Sequence, residues 1–522
     1  MKRLQLGMLA VLGLLANLHV NAQANGEVMY HVFQRSFFDS NGDGHGDLKG
    51  INQKLDYLQE LGITTILLTP LYQSDFYHNY FATDFEKIDP AYGTFDDYAA
   101  MVKAAHMRDM KVYQDVEMQY VAGNHPWFKE SYKKPGSKYA GYLFFHDQLN
   151  EKPYYFLDIT EFTTYNNRKE QIVVVNMNNQ KVKDYTLKVL KYWADPNGDG
   201  KFDDGVDGFR LDHMMDNLDN QGRLKNLFAG FWSPLLTQLK KVNPKLQIVA
   251  EQANWNSYGY DYFSKGKVDR VFAFRLKQAI ATFDKNKIEK AADSTFNYLP
   301  KDKQQVVFIE NHDTKRFASE EGMNPGKLRV AAALNILIGG IPSLYYGQEL
   351  GMKGEQLKGM TDGNDIPVRE AFEWYKAEEG QGMATWYKNT GEWWDKRNMK
   401  PNDGISLEEQ KSDPNSLYNY YRELIAIKNK YPEFANGDYA VTENYNDNVF
   451  TFLRKSGRNI SLVVINLSSE EQFAMLADIS LPVQRAKLLS GDARVVFPRG
   501  GRGLALPPYA VQVYRFLPGG PR

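Results

Sequence analysis

Cysteine is absent from this chain of 522 residues, so neither a disulfide bridge nor a lipidated cysteine anchor is available to it. Charge of one sign is not in excess either, because 63 basic residues stand against 64 acidic ones and the formal net charge is −1. A partner recognised through bulk charge, such as nucleic acid or an anionic membrane, is therefore not expected. Zinc is not expected, since the chain has no HExxH motif and only nine scattered histidines.

Long apolar runs are also lacking outside the N-terminus. The chain starts with basic residues, continues as a mainly apolar run from Leu4 to Leu18, and then turns to small and polar residues up to position 24. This is the layout of a signal peptide, and the run is shorter than the roughly 20 apolar residues that a membrane span needs. We predict a signal peptide over residues 1–24 and a secreted or periplasmic protein without a membrane anchor after cleavage.

The hydrophobic content of the chain, 43%, is sufficient for a buried core. The balanced charge favours a neutral substrate. Aromatic residues make up 14% of the chain, including 33 tyrosines, and sugar rings offer apolar C–H faces that stack on such side chains. Most of these aromatic residues are nevertheless expected in the core.

Four short apolar runs each deliver an acidic residue as the run ends. They are KVYQDV at Asp115, DGFRLD at Asp212, QIVAE at Glu251 and VVFIENHD at Asp313. Strands buried on both faces read as continuous apolar runs, and barrel enzymes place their catalytic groups at the carboxyl ends of such strands. One acid after a strand is more often a helix cap. A series of four indicates a shared catalytic site.

Arg210 and Asp212 lie two residues apart, so in an extended strand both point to the same side and the guanidinium favours an ionised, nucleophilic carboxylate. Glu251 follows the apolar run QIVA, where desolvation raises the pKa of the carboxyl and suits it to donating a proton. Cleavage of a glycosidic bond needs one group of each kind. The alternative, a core salt bridge with an unrelated glutamate, does not account for His312 beside Asp313.

The segments DGFRLD, VAEQANW and FIENHD, in this order and at these separations, resemble the second, third and fourth signature regions of the α-amylase family, glycoside hydrolase family 13. The resemblance implies that Asp212 is the nucleophile, Glu251 the general acid/base and Asp313 the carboxylate that supports the distorted sugar of the transition state. It also implies that Arg210 and His312 belong to the substrate site.

The rest of the chain predicts an α/β fold built on a (β/α)8 TIM barrel. The candidate strands are Val28–Phe33, Ile63–Leu68, Lys111–Val116, Gly208–Leu211, Gln247–Ala250, Val268–Phe272, Val306–Ile309 and Ser343–Tyr346. Segments of helical periodicity lie between them, which implies parallel pairing and a closed barrel. An open doubly wound sheet is the alternative, but the acids would then have to reach one crevice from distant strands.

Two regions do not follow this alternation. The segment after the third strand has many aromatic residues and turns, and family members carry a small inserted domain there. The last part of the chain changes to short strands separated by turn residues, which predicts a C-terminal antiparallel β-sandwich. The predicted domains are a signal peptide at 1–24, a barrel at 25–116 and 183–430, an inserted domain at 117–182 and a C-terminal domain at 431–522.

A loop after the first strand is the best metal candidate. Its potential ligands are Asp39, Asn41, Asp43, His45 and Asp47, which alternate with small residues. Oxygen ligands of this kind suit Ca²⁺. The loop is not an EF-hand, because Gly50 stands where that motif has a glutamate. It resembles a calcium loop of family branches that act on short oligosaccharides, where the residue at His45 provides its backbone carbonyl.

A second loop, just before the Asp212 strand, repeats this spacing. Its potential Ca²⁺ ligands are Asp195, Asn197, Asp199 and Asp203. For both loops the alternative interpretation is a turn rich in Asp and Asn, whose side chains bind the nearby backbone.

His78 and Tyr80 follow the second strand and resemble a family stretch in which the tyrosine stacks on the attacked sugar and the histidine donates to a hydroxyl. One region departs from the family. The usual Asp-x-x-x-Asn-His is here Asp115-Val-Glu-Met-Gln119-Tyr120. In relatives that asparagine binds a calcium ion between barrel and inserted domain, and the histidine contacts substrate. Neither role is carried over to Gln119 and Tyr120.

Together these features predict a retaining glycoside hydrolase that cleaves α-1,4-glucosidic bonds of starch or maltodextrins, with an α-glucan as its partner. An α-glucan transglycosylase, an α-glucosidase or a cyclomaltodextrinase-like enzyme would use the same acids. A non-catalytic glucan-binding protein is the alternative of another class. Such proteins typically lose one or more of the three acids, whereas this chain keeps all three.

Overall fold

The computed structural model describes residues 26–219, 222–359, 361–476, 486–495, 497 and 503–516, so the predicted signal peptide at 1–24 lies outside the described residues. Barrel strands one to eight are Met29–Val32, Thr65–Leu68, Lys111–Val116, Gly208–Met214, Gln247–Gln252, Arg270–Phe272, Gln304–Val307 and Ile341–Tyr345. Strand one pairs in parallel with strands two and eight, which closes the sheet. The predicted (β/α)8 barrel is confirmed, and the open doubly wound sheet is excluded.

Helices connect the strands and surround the barrel. The α-helices are Gln34–Phe37, Leu48–Gln53, Leu55–Leu61, Phe95–His106, Pro126–Ser131, Gln180–Ala194, Ser233–Val242, Tyr260–Ser264, Phe274–Ile280, Lys285–Phe296, Pro325–Leu337, Glu392–Asp395, Leu407–Gln410, Leu417–Lys430 and Pro432–Ala435. Local sequence sets their ends. Thr94 and Asp97 form a capping box before the fourth of these helices, and Gly62 ends the third in the left-handed region at φ 91°. None of the described helices is long and apolar enough to cross a membrane.

The interior of the barrel is filled by apolar side chains. The inward-facing apolar residues are Met29, Leu67, Tyr113, Val249, Phe272, Phe274, Val306, Phe308 and Ile341. Below them Arg270 binds Glu27 through both terminal nitrogens, at 2.7 and 2.8 Å. Since this ion pair lies at the amino-terminal end of the filled barrel, the carboxyl ends of the strands are where the fold leaves room for a site.

A small sheet covers one side of those carboxyl ends. Its strands are, in spatial order, Tyr72–Ser74, Ala82–Ile88, Tyr120–Ala122 and Ile172–Val174. The last two come from the segment after barrel strand three, while the first two come from the connection between barrel strands two and three. The inserted region therefore shares its sheet with the stretch that carries His78 and Tyr80, and this brings both stretches to the same wall.

The C-terminal region forms an antiparallel sheet of five strands, in the order Asp438–Val441, Val449–Ser456, Asn459–Asn466, Val511–Phe516 and Ala486–Ser490. A pair of strands, Gln472–Met475 and Gly503–Leu506, packs on it through a shared apolar cluster. Arg454 donates to the Ile338 carbonyl at 3.0 Å and so ties this region to the last helix before barrel strand eight.

Candidate active site

The predicted catalytic acids meet at one cavity of about 390 Å³ at the carboxyl ends of the barrel strands. Asp212 lies in barrel strand four and Glu251 in barrel strand five, which pair in parallel and so end at the same height. Asp313 lies in the loop after barrel strand seven. His78 and Tyr80 line the same cavity, as the sequence predicted for substrate contacts.

Arg210 is the hub of this site and is 1% exposed. Its Nη1 lies 2.6 Å from Asp115 Oδ2 and also contacts Asp212, while its Nη2 lies 2.9 Å from Glu251 Oε2. Strand pleating explains why Arg210 and Asp212 point to the same side. Because Asp212 and Glu251 bind the two ends of one guanidinium, their carboxyl groups lie close together, as a retaining mechanism requires.

One guanidinium does not balance this many carboxyl groups. Burial, together with the negative charges of Asp212 and Asp313, raises the pKa of Glu251 well above its usual range despite Arg210. Burial also raises the pKa of Asp115 to about 7, even though Arg210 opposes the shift. The shift favours the protonated form of Glu251, which is the state of a general acid.

Asp313 has a different environment. Its side chain is 30% exposed, with His312 Nε2 at 2.9 Å from Oδ2 and Arg369 Nη2 at 3.0 Å from Oδ1. Burial raises the pKa of Asp313, but the hydrogen bond and charge of these two neighbours outweigh it and hold the pKa below its usual range. Asp313 is therefore an anion. Arg369 was missed as a site residue, although the sequence Asp365-Ile-Pro-Val-Arg369 carries the cation.

Tyr80 and His78 are built into the cavity wall. The Tyr80 ring lies parallel to that of His312 at 5.3 Å between centroids, and its hydroxyl donates to Asp115 Oδ2 at 2.7 Å. His78 Nδ1 accepts from the Tyr80 backbone N at 3.1 Å, so its proton resides on Nε2. Burial lowers the pKa of His78 well below its usual range, which keeps the ring neutral. Its Nε2–H can then donate to a sugar hydroxyl.

Gln119 links the segment after barrel strand three directly to barrel strand four. Its Nε2 donates to the His213 carbonyl at 2.8 Å and to the Asp212 carbonyl at 3.3 Å. An amide thus connects the two segments at the position where the family pattern has a calcium-binding asparagine. The neighbouring Tyr120 lines the cavity. Glu117, a buried carboxyl beside Asp212, was missed, although strand alternation already placed it on the same side as Asp115.

The loop of the predicted metal ligands at positions 39–47 is tightly folded. Asp39 accepts from the backbone N of Gly42 and of Gly44, both at 2.7 Å, and Asp47 accepts from Gly50 N at 2.7 Å. Asn41, Asp43 and His45 continue the same chain of turns. The oxygen donors fit the chemistry of Ca²⁺. The described part of the chain nevertheless contains no ready-formed group of three His, Cys, Asp or Glu side chains at metal-binding distance.

The second loop is more exposed. Asp195 accepts from Gly200 N at 2.9 Å, Asn197 accepts from Asp199 N at 2.8 Å, and Lys201 Nζ lies 2.8 Å from Asp199 Oδ2. The ammonium of Lys201 thus competes with any metal ion for Asp199. Calcium binding at Asp195, Asn197, Asp199 and Asp203 stays a prediction.

The chain is similar in sequence to known proteins over most of its length. Residues 31–437 match the sequence profile described as "Alpha amylase, catalytic domain". "Alpha-amylase 3" of Dictyoglomus thermophilum is 29% identical over 462 residues, which cover 85% of either chain. "Probable oligo-1,6-glucosidase 3" of Bacillus subtilis (strain 168) is 27% identical over 560 residues, covering 93% of this chain and 98% of the other.

The chain is also similar in structure to solved proteins. The crystal structure of the alpha-amylase from H.orenii superposes with a TM-score of 0.77 at 28% identity and covers 94% of this chain and 100% of that one. An isomaltulose synthase from Erwinia rhapontici NX5 reaches a TM-score of 0.75 at 22% identity, which shows a shared fold alone.

Proposed function

The chain belongs to the α-amylase family of glycoside hydrolases, and on that premise we propose that it cleaves α-1,4-glucosidic bonds of starch or maltodextrins with retention of configuration. The observation that carries the proposal is the binding of Asp212 and Glu251 to the two ends of the Arg210 guanidinium, with the proton on Glu251. The site thus holds an acid and a nucleophile at short separation.

In the proposed mechanism each group has one role. Glu251 protonates the glycosidic oxygen while Asp212 attacks the anomeric carbon and forms a glycosyl-enzyme. Glu251, now ionised, takes a proton from water, which attacks the same carbon from the side that the leaving group vacated. Two displacements at one carbon restore its configuration. Asp313 and His312 hold the sugar in its distorted form, and the charge of Arg210 fixes Asp212.

Several relatives keep a second candidate open. Besides the probable oligo-1,6-glucosidase, "Trehalose synthase/amylase TreS" of Mycobacterium tuberculosis is 26% identical over 544 residues. An α-glucosidase or a transglycosylase would share every catalytic residue of the site and differ in the bond chosen or in the acceptor of the glycosyl group. At the departure from the family pattern Tyr120 lines the cavity and Gln119 donates to Glu117, which also lines it, so bond and chain-length preference are not carried over from the family.

A substrate panel tests the proposal. Purified protein is incubated with starch, maltotriose, pullulan, cyclodextrin, isomaltose and trehalose, and the first product is followed by NMR for its anomeric configuration. We expect cleavage of starch or maltotriose with release of the α-anomer. Cleavage of isomaltose or trehalose alone would replace the proposal with the second candidate, and release of the β-anomer would contradict the mechanism. Products longer than the substrate at high maltotriose would identify a transglycosylase.

We also propose that the loop at positions 39–47 binds Ca²⁺ and that the protein is exported behind its leader. The donor chemistry of Asp39, Asn41, Asp43 and Asp47 supports the first proposal, and the basic and apolar start of the sequence supports the second. Amino-terminal sequencing of the protein purified from its native cells tests export. A mature chain that still begins at Met1 would contradict it.

A further inference from the structure

Glu117 is a carboxyl group in the cavity wall that has no part in the mechanism above. It follows barrel strand three directly and is 1% exposed. Its backbone is fixed by Tyr72, whose hydroxyl accepts from Glu117 N at 2.7 Å and donates to Glu117 O at 2.9 Å. The backbone from which the side chain projects is therefore fixed beside the cavity, and the side chain lies buried in its wall.

Both sides of this carboxyl are occupied. Gln119 donates to it twice, from its backbone N to Oε1 and from Nε2 to Oε2 at 3.3 Å. On the other side the carboxyl faces Asp212: both residues line the cavity, and Gln119 Nε2 lies 3.3 Å from Glu117 Oε2 and 3.3 Å from the Asp212 carbonyl. This places the two carboxyl groups within reach of one hydrogen bond. Two carboxyl groups in one hydrogen bond must share a proton, since an ionised carboxylate only accepts. Because Arg210 already binds Asp212, the proton resides on Glu117.

The surrounding groups agree with this assignment. Burial, followed by the charge of Asp212 and the hydrogen bond with it, raises the pKa of Glu117 well above its usual range, although the donors of Gln119 oppose the shift. Two phenols, Tyr72 and Tyr120, also face Glu117, and Asp115 lies two residues before it on the same side of the strand. Burial raises the pKa of both phenols, so they stay neutral. Asp212 is thus the group whose charge is linked to the proton on Glu117.

We propose that Glu117 is a positioning residue for the nucleophile, whose protonated carboxyl donates a hydrogen bond to Asp212 and holds it in line with the anomeric carbon. This inference rests on the proposed function. When water attacks the glycosyl-enzyme, the bond between the anomeric carbon and Asp212 breaks, its electron pair returns to Asp212, and the proton of water passes to Glu251. Glu117 keeps its proton throughout and stabilises the departing carboxylate.

Two substitutions of Glu117 distinguish loss of the hydrogen-bond donor from loss of the ionisable carboxyl group. Glu117→Val removes the donor, and we expect kcat for maltotriose to fall about 10- to 100-fold, because a hydrogen bond to a charged group is lost. KM falls with it, since slow release from Asp212 lets the glycosyl-enzyme accumulate. Glu117→Gln keeps a donor for Asp212 and an acceptor for the Gln119 backbone, so we expect kcat within about threefold of the wild type. An unchanged kcat in the first variant, or equal losses in both, would overturn the proposal.

The pH profile provides a readout that a purely structural role would not move. In the wild type, activity falls at alkaline pH as both Glu251 and Glu117 lose their protons. The Glu117→Gln protein cannot lose the second of these protons, so we expect a shallower alkaline limb of kcat/KM. An identical limb would contradict the titrating role of Glu117. This measurement still decides the question if Glu117→Val does not fold.

Glu349 provides a matched control, because it is a buried carboxyl whose hydrogen bonds come from Tyr30, at 2.7 Å, and from Tyr57. We expect Glu349→Gln to lower the melting temperature and to leave KM, kcat and the alkaline limb unchanged. A wild type that hydrolyses neither maltotriose nor α-glucosyl fluoride would refute the proposed function. An active wild type with an unaffected Glu117→Val protein would refute the role of Glu117 alone.

Discussion

At the amino-terminal end of the barrel Arg270 binds the carboxylate of Glu27, whereas at the carboxyl end the guanidinium of Arg210 is shared by three carboxyl groups. Both arginines are buried. Burial raises the pKa of Glu27, but Arg270 outweighs it and lowers the pKa to about 2. Burial raises the pKa of Glu251, and Arg210 does not offset it.

Burial is the largest influence at both ends and raises the pKa, so the number of neighbouring cations per carboxyl group decides which acid still loses its proton. A matched pair at the amino-terminal end keeps its carboxylate ionised and stabilises the barrel. An arginine shared among several acids leaves part of them protonated, and this is the state that acid catalysis needs. The difference follows the usual division of a barrel into a stabilising end and a catalytic end.

The largest effect is expected at the carboxyl end. Asp212→Asn keeps the shape of the side chain but removes the nucleophile, so kcat should fall by about 10⁴-fold or more. Asp207→Asn is the matched control, because Asp207 precedes the same strand at its other end, where it accepts from Val112 N at 2.8 Å. Its kcat should be unchanged. Activity of the Asp212→Asn protein close to that of the wild type would refute the assignment.

Glu251→Gln should have the next largest effect. Without its acid the enzyme should lose about 10²- to 10⁴-fold in kcat/KM on maltotriose. The loss should be much smaller with α-glucosyl fluoride, since fluoride leaves without being protonated. In the wild type, kcat/KM should stay high well above pH 4.5 and fall as pH rises through the raised pKa of Glu251. An equal loss on both substrates would argue against a general acid at this position.

At the amino-terminal end the expected effect is on stability. Since the folded pKa of Glu27, about 2, lies below its usual 4.5, the pair contributes stability above pH 4.5 and loses it as pH falls toward 2. Glu27→Gln should lower the free energy of unfolding by about 3 kcal/mol at pH 7 and leave kcat unchanged. Urea denaturation of the wild type and the variant at pH 7 and pH 3 measures the loss of stability and its dependence on pH. A variant with reduced kcat and normal stability would break the contrast between the two ends.

The smallest effect is expected at the two loops that carry the predicted Ca²⁺ ligands. Added Ca²⁺ should raise the melting temperature by a few degrees through binding to the folded state. Asp43→Asn should abolish this response, whereas Asp199→Asn should not. The opposite pattern would move the site to the loop of Asp195. No response in the wild type after chelation and dialysis would show that both loops are turns.

Much of the fold followed from sequence pattern. The apolar runs predicted the barrel strands to within a few residues, because a strand buried on both faces has to be apolar along its length. The spacing of Ile51, Leu55, Leu58 and Leu61 in the sequence predicts one helix with these residues on one face, but the structure divides the segment at Lys54 into two helices. The recruitment of Tyr72–Ser74 and Ala82–Ile88 into the sheet of the inserted region was not visible. Pairing between distant short strands depends on packing and not on local pattern.

The candidate site also combines features that the sequence pattern predicts with features that depend on packing. Apolar runs in the sequence mark which acids stand at strand ends, and the two-residue period of a strand puts Arg210 and Asp212 on one side. Folding brings Arg369 to Asp313 across 56 residues and Gln119 to barrel strand four across 94, and no local pattern predicts either contact. These contacts lie in loops, whose paths are fixed by the packing around them and leave no periodic signal in the sequence.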